Sequence, residues 1–263
     1  MRGFFRALAR ALRLVAYLVR GLWQARRRAR ATMGETDRLE FVRSWLAGAA
    51  GAIGVRVTVH GLDRLEGRMS QGALWLPNHV SWLDILVIGG LMPGTVFLAK
   101  SEIASWPLIG RLASLGGTEF IERGQGSAAA AEAVAEGLAK ARKMVVFAEG
   151  TTSDGMSVRR FHARLLGPAI EAGLPVVPVA LRYYDSDGRR TTGPAFIDRE
   201  PVWPSLWWVL TSRQTEVVVD ILPPIDPDPG EQRSELARRA HHAVSAIVAR
   251  SALKHPRRDI SRP

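Results

Sequence analysis

Cysteine is absent from the 263 residues. That excludes disulfides, a thiol nucleophile, iron–sulfur ligation and cysteine-based zinc sites. Long apolar runs are missing as well. The longest stretches free of Asp, Glu, Lys and Arg are Met69–Leu83 and Ile85–Ala99, of 15 residues each. Both are broken by Pro, Gly or polar side chains, and both fall short of the ~18 apolar residues that a spanning helix needs. A bundle of membrane-spanning helices is thereby excluded. No His/Asp/Glu spacing marks a metal site either; Asp185-Ser-Asp-Gly188 lacks the rest of a calcium loop and reads as a turn. A composition of 47% hydrophobic and 23% charged residues is too apolar for disorder, and the length suits one large domain or two small ones.

Acidic residues are missing from one place in particular. Residues 1–31 hold nine Arg and no Asp or Glu, so most of the net charge of +11 sits there. Beyond residue 31 the charge is nearly balanced, which argues against a nucleic-acid surface. At 100° per residue, Arg2, Arg6, Arg10, Arg13, Arg20 and Arg27 share one sector of about 100°. Phe4, Phe5, Leu8, Leu12, Val15, Leu18, Val19, Leu22 and Trp23 fill the other side. This pattern predicts an amphipathic helix lying on an anionic bilayer, with Arg6, Arg10, Arg13 and Trp23 as membrane contacts. Packing on the protein's own core remains the alternative for part of that face. A second helix over 36–53 completes a hairpin, giving a membrane-interface segment 1–54 ahead of a domain 55–263.

From Val55 onward, short strands alternate with helices: strands at 56–60, 73–76, 95–99, 118–121, 144–148, 174–181 and 216–222, and helices at 81–91, 102–115, 127–142, 161–172 and 231–251. Such alternation predicts an α/β domain, a mixed central sheet flanked by helices.

Chemistry-bearing residues collect at three strand ends. In Pro77-Asn-His79-Val-Ser-Trp-Leu-Asp84, a histidine on a strand-to-helix loop precedes a carboxylate in the first helical turn. The carboxylate can orient the imidazole, whose other nitrogen then takes a proton from a hydroxyl. The same Ser81-x-x-Asp84 also suits a helix cap. Gly117-Thr-Glu-Phe-Ile-Glu-Arg123 ends a second strand. Val145-Val-Phe-Ala-Glu149-Gly-Thr-Thr-Ser-Asp-Gly155 ends a third and carries a carboxylate, a glycine and a row of hydroxyls.

The order Asn-His79-x-x-x-x-Asp84, Phe120-Ile-x-Arg123, Phe147-x-Glu149-Gly-Thr151 and Val177-Pro-Val-Ala180 resembles the four blocks of the glycerolipid acyltransferase family, above all its bacterial 1-acyl-glycerol-3-phosphate acyltransferases. The resemblance spans about Val55 to Leu181. It implies acyl transfer from acyl-CoA or acyl carrier protein to a lysolipid hydroxyl, with no cofactor and no acyl-enzyme. His79 would be the general base and Asp84 its orienter. Asn78 and Ser81 would support the loop, and Arg123, Glu149, Gly150 and Thr151 would match the acceptor-binding residues. Lys100, at a strand end, is a candidate for the oxyanion or for a phosphate. The common third block, Pro-Glu-Gly-Thr-Arg-Ser, here reads Ala148-Glu-Gly-Thr-Thr152-Ser. Thr152, counted with these as a substrate-binding candidate, therefore replaces a guanidinium that can bind phosphate bidentately. Either Arg159, Arg160 or Arg164 substitutes for it, or the acceptor carries no phosphate. Related sequences with Glu-Gly-Thr-Thr-Ser-Asp-Gly include lyso-ornithine lipid acyltransferases. The resemblance thus favours 1-acyl-glycerol-3-phosphate as acceptor, giving phosphatidic acid, with lyso-ornithine lipid or another lysolipid as the alternative. It also implies a place on the cytoplasmic face of a bacterial inner membrane. A non-catalytic lipid-binding protein of the same fold would have lost His79 or Asp84, and both are present.

Overall fold

Seven strands form one sheet in a computed structural model of the protein, which describes residues 1–29, 34–65, 72–100, 119–121, 126–197 and 200–250. The strands are β1 (Val55–His60), β2 (Ala73–Pro77), β3 (Thr95–Lys100), β4 (Glu119–Ile121), β5 (Lys143–Val145), β6 (Val176–Tyr184) and β7 (Thr215–Ile221). Their order is β1-β7-β6-β2-β5-β3-β4. All neighbours are parallel except β6 and β7, so the sheet is mixed, as the alternation of elements predicts. The helices are α1 (Arg2–Ala29), α2 (Glu35–Ala52), α3 (Leu83–Gly89), α4 (Gly126–Ala139), α5 (Gly167–Ala172), α6 (Val202–Thr211) and α7 (Arg233–Val248). The expected helix at 102–115 lies outside the described residues.

Period-two alternation sorts the strand side chains onto two faces. On one face Trp75, Val177, Val179, Leu181 and Tyr183 pack with Leu83, Val87 and Ile88 of α3 and with Ala7, Ala50 and Ile53 from the N-terminal helices. On the other, Leu74, Leu76, Val176 and Ala180 meet Val134 and Leu138 of α4 and Leu236, Ala240 and Val244 of α7. With both faces covered, β2 is buried at all five positions, which is why its sequence is an unbroken apolar run.

Local chemistry moves several element ends. The helix expected at 161–172 is a 3-10 turn, Ala163–Leu166, followed by α5. Pro168 has no N–H to donate and so starts a helix rather than continuing one. α3 begins at Leu83, not 81, because the Val80 and Ser81 N–H groups are taken by the Asp84 side chain. β6 runs three residues past Leu181, to Tyr184.

The N-terminal helices pack on the sheet domain. The Tyr17 hydroxyl donates to the Trp45 carbonyl at 3.1 Å, joining α1 to α2. Arg10, expected among the headgroup contacts, is instead buried. Its Nη1 donates to the carbonyls of Val209 (2.9 Å), Leu210 (3.2 Å) and Ser212 (2.8 Å), and its Nη2 to that of Arg213 (3.2 Å). The guanidinium caps the negative end of α6. Burial, with Arg6 and Arg13 near by, lowers its pKa. Gly54 makes room for it: φ is +82°, and a Cβ there would lie 2.3 Å from Nη2. Arg6 also turns inward, donating to the Thr211 carbonyl at 2.8 Å. Arg13, Arg20, Arg27 and Trp23 are exposed. Exposed with them are Phe4, Phe5, Leu8, Leu12, Val15 and Val19 of α1, and Trp203 and Trp207 of α6. The α6 tryptophans are thus split, since Trp208 packs on the core. Among the described residues no helix is long and apolar enough to cross a membrane.

Candidate active site

The Asp84 side chain accepts every hydrogen bond it makes, because an ionised carboxylate has no proton to give. Its Oδ2 takes the backbone N–H of Val80 (2.7 Å) and Ser81 (2.9 Å) and lies 2.8 Å from Nδ1 of His79. Its Oδ1 takes the hydroxyl of Tyr183. Nδ1 must then carry the ring proton. That fixes the tautomer and leaves Nε2 as the basic nitrogen. Among the described residues Nε2 makes no hydrogen bond. The Asp84 side chain is wholly buried, while 18% of the His79 side chain meets solvent. The two side chains singled out from sequence are brought together, with the imidazole at the rim and the carboxylate inside. The cap reading of Ser81 and Asp84 is met only in part: Trp82, not Ser81, precedes the helix and makes no side-chain cap hydrogen bond, while one Asp84 oxygen serves both the loop N–H groups and the imidazole.

The loop carrying His79 is held from four sides. Asn78 follows β2 and reaches across to β6: its Oδ1 accepts the Leu181 N–H at 2.7 Å and its Nδ2 donates to the Leu181 carbonyl at 3.1 Å. Ser81 donates through Oγ to the Pro194 carbonyl at 2.7 Å. Glu149, delivered just past β5, accepts the His79 N–H on Oε1 and the Arg159 N–H on Oε2, each at 2.7 Å. The Ser153 N–H donates to the His79 carbonyl at 2.9 Å. The Phe147 ring lies flat against the imidazole, 3.8 Å between centroids and 17° between planes. Burial pushes the Glu149 carboxyl above its ordinary range, and the two N–H donors pull part of that shift back.

These contacts sort the candidates. Asn78, Ser81 and Glu149 are buried and hold backbone. Thr152, expected to contact substrate, is buried and donates to the Phe196 carbonyl; its short side chain points into the protein and ties this loop to the segment before α6. Gly150 is exposed and adopts φ +74°, and a Cβ there would lie 2.9 Å from Nε2 of His162. Glycine thus lets the loop turn beside His162, which is exposed. Thr151 is half-buried next to it, and Arg159, Arg160 and Arg164 are exposed. Lys100 closes β3, the end expected for it. Arg123 lies outside the described residues. Tyr183 was not a sequence candidate. Its signal is faint: a tyrosine in phase with the inward residues Val177, Val179 and Leu181, two positions beyond the expected strand end.

Catalysis of hydroxyl attack on an activated acyl group needs this kind of oriented base. The acyltransferase family matches residues 56–182. Over 245 residues the chain is 39% identical to the lyso-ornithine lipid O-acyltransferase of Pseudomonas aeruginosa, covering 91% of this chain and 92% of that protein. It is 32% identical over 258 residues to the 1-acyl-sn-glycerol-3-phosphate acyltransferase of Neisseria gonorrhoeae, covering 94% of each. The crystal structure of the 1-acyl-sn-glycerophosphate acyltransferase of Thermotoga maritima superposes with a TM-score of 0.70 over 94% of this chain and 95% of that one, at 22% identity. The chain therefore belongs to the acyltransferase family. It is an O-acyltransferase, and its mixed sheet flanked by helices is the fold of the Thermotoga maritima protein.

Proposed function

We propose that the protein transfers a fatty acyl group from a thioester, on coenzyme A or acyl carrier protein, to the hydroxyl of a lysolipid, with His79 as general base. The Asp84–His79 hydrogen bond carries this reading. Nε2 takes the proton of the acceptor hydroxyl as its oxygen attacks the thioester carbonyl. Asp84 holds the resulting imidazolium. As the tetrahedral intermediate collapses, the C–S bond breaks and the imidazolium returns its proton to the leaving thiolate. The thioester is already activated, so no acyl-enzyme is required and the lack of cysteine is no obstacle. Loss of transfer in His79→Ala, with folding retained, is the expected result; turnover at the wild-type rate overturns the mechanism.

The acceptor we favour is lyso-ornithine lipid. Two observations support it: Thr152 stands where the phosphate-acceptor pattern has arginine and is turned inward onto Phe196, and the Pseudomonas aeruginosa relative, 39% identical, carries that activity in its name. The second reading, 1-acyl-glycerol-3-phosphate going to phosphatidic acid, draws on the 32% identical Neisseria gonorrhoeae protein and on the exposed Arg159, Arg160 and Arg164. One labelled acyl donor supplied with both lysolipids decides between them by which is consumed. We place the enzyme on the cytoplasmic face of a bacterial inner membrane. The exposed apolar face of α1, Phe4 through Trp23, would enter the interface, and Arg13, Arg20 and Arg27 would meet anionic headgroups.

A further inference from the structure

Tyr183 has no place in the mechanism so far, yet its hydroxyl ends on the carboxylate that governs the base. β6 outruns β2, whose Pro77 pairs with Val179. The four residues that follow carry Tyr183 alongside the first turn of α3. The residue is 2% exposed. The carboxylate can only accept, so the phenol donates to Oδ1. Burial first, and the Asp84 charge second, raise the phenol's pKa well above the ordinary tyrosine value, which keeps that proton in place throughout the working pH range.

A carboxylate stabilises an imidazolium in proportion to the charge it presents. Each donor that Asp84 accepts from elsewhere draws some of that charge away. Two of the three others are backbone N–H groups of the loop, required by its shape. Tyr183 is the side-chain donor from a different element, and so the adjustable one. The titratable groups that the described residues bring to His79 are Asp84 from α3, Glu149 from the loop after β5, and Tyr183 from β6 acting through Asp84.

We infer that Tyr183 is a positioning residue that lowers the basicity of His79 by drawing charge from Asp84 through their hydrogen bond. This rests on His79 being the base. It predicts an effect of definite sign. Tyr183→Phe keeps the ring and removes the donor, so Asp84 presents more charge and the imidazolium becomes more stable. The acidic limb of the kcat/KM profile then moves to higher pH by about half a unit to one unit. A more acidic phenol, 3-fluorotyrosine placed at position 183, donates more strongly and moves the limb to lower pH. Its nearly unchanged shape also gives a folded protein should the phenylalanine variant fail to fold.

The measurement is acyl transfer from labelled palmitoyl-CoA, with lyso-ornithine lipid and 1-acyl-glycerol-3-phosphate supplied together, across pH. A histidine nitrogen NMR titration of the same full-length proteins reads the imidazole without substrate. Opposite displacements for the two substitutions support the assignment. A limb and a His79 titration that stay put, whatever happens to kcat or thermal stability, overturn it and leave Tyr183 a packing residue. His79→Ala runs as the control: full turnover there sinks the base assignment itself, whereas loss of turnover there with unmoved limbs sinks only the role given to Tyr183.

Discussion

Replacing Asp84 by asparagine separates the charge of the site from its scaffolding. The amide oxygen of Asp84→Asn can occupy the place of Oδ2 and still accept from Val80, Ser81 and Nδ1 of His79. The amide nitrogen then faces Tyr183, whose hydroxyl can turn to accept. The loop and the tautomer survive, and only the counter-charge is gone. At the 2.8 Å separation of Nδ1 and Oδ2, a unit charge pair in a medium of effective dielectric about 20 interacts by about 6 kcal/mol. The imidazolium charge is spread over the ring, and three other donors already draw on the carboxylate, so about half of that, ~3 kcal/mol, is a reasonable share for the transition state. The expected kcat is lower by about 10²-fold, with the acidic limb of the pH profile displaced downward. Asp84→Ala does something different. It leaves the Val80 and Ser81 N–H groups and the Tyr183 hydroxyl without an acceptor in a fully buried place, at about 1–3 kcal/mol each. That variant should lose several kcal/mol of stability as well as activity. The assay is single-turnover acyl transfer, read beside urea denaturation of both variants. An asparagine variant within about threefold of wild type at neutral pH would refute the idea that Asp84 acts through its charge.

Other consequences are more local. Glu149→Gln keeps one acceptor oxygen but aims an amide NH2 at the N–H of either His79 or Arg159, so transfer should fall by about tenfold while the protein stays folded; wild-type transfer would remove Glu149 from the support of the loop. Burial holds the Glu149 pKa above its unfolded value, so ionising it weakens the wild-type fold as pH rises through that window. The stability of Glu149→Gln relative to wild type should therefore improve as pH rises above about 4.5 in urea denaturation, and a flat or opposite trend counts against the assignment. Arg10→Ala strips the end of α6 of its cationic donor and should destabilise the protein by about 2–4 kcal/mol, read as a lower denaturation midpoint. Removing residues 1–31 takes away that cap too, so the membrane test is gentler: Phe5→Ser with Leu12→Ser and Val19→Ser, all exposed positions, should weaken binding to anionic vesicles without lowering stability, and undiminished binding sinks the proposed membrane face.

The parts of the fold that were readable from sequence are those in which neighbouring residues decide. The apolar run 73–76 announces a strand, which the fold extends to Pro77 and buries throughout, and the five-residue step from His79 to Asp84 announces a carboxylate reaching back to the loop. Arg10 was misread because a helical projection shows which residues share a side but not what lies opposite. Its partners, the carbonyls 209–213, are about two hundred residues away. Tyr183 is missed, and Thr152 is assigned to substrate instead of to the fold, for the same reason. Each is defined by one long-range hydrogen bond, to Asp84 and to Phe196, and neither leaves a local periodicity behind. The glycine at 150 was legible as part of a block, but its reason, a left-handed turn beside His162, belongs to the folded loop.

The division of labour in the site bears on where specificity can come from. Asn78 and Ser81 tie the loop holding His79 to Leu181 and Pro194, Asp84, Glu149 and Ser153 bond to its backbone, and all five are buried. An imidazole fixed from so many sides loses little freedom when substrate arrives, which suits the proposed catalysis by orientation. The same enclosure removes those side chains from the acceptor. Discrimination between one lysolipid headgroup and another must then fall to other groups, and those less buried after β5 include the half-buried Thr151, the exposed His162 and the exposed arginines at 159, 160 and 164. If an acidic headgroup is bound there, substituting those three arginines together should raise KM for 1-acyl-glycerol-3-phosphate far more than for lyso-ornithine lipid, while kcat at saturation changes little. Equal effects on both acceptors would mean that the arginines serve the surface and that the headgroup is read elsewhere.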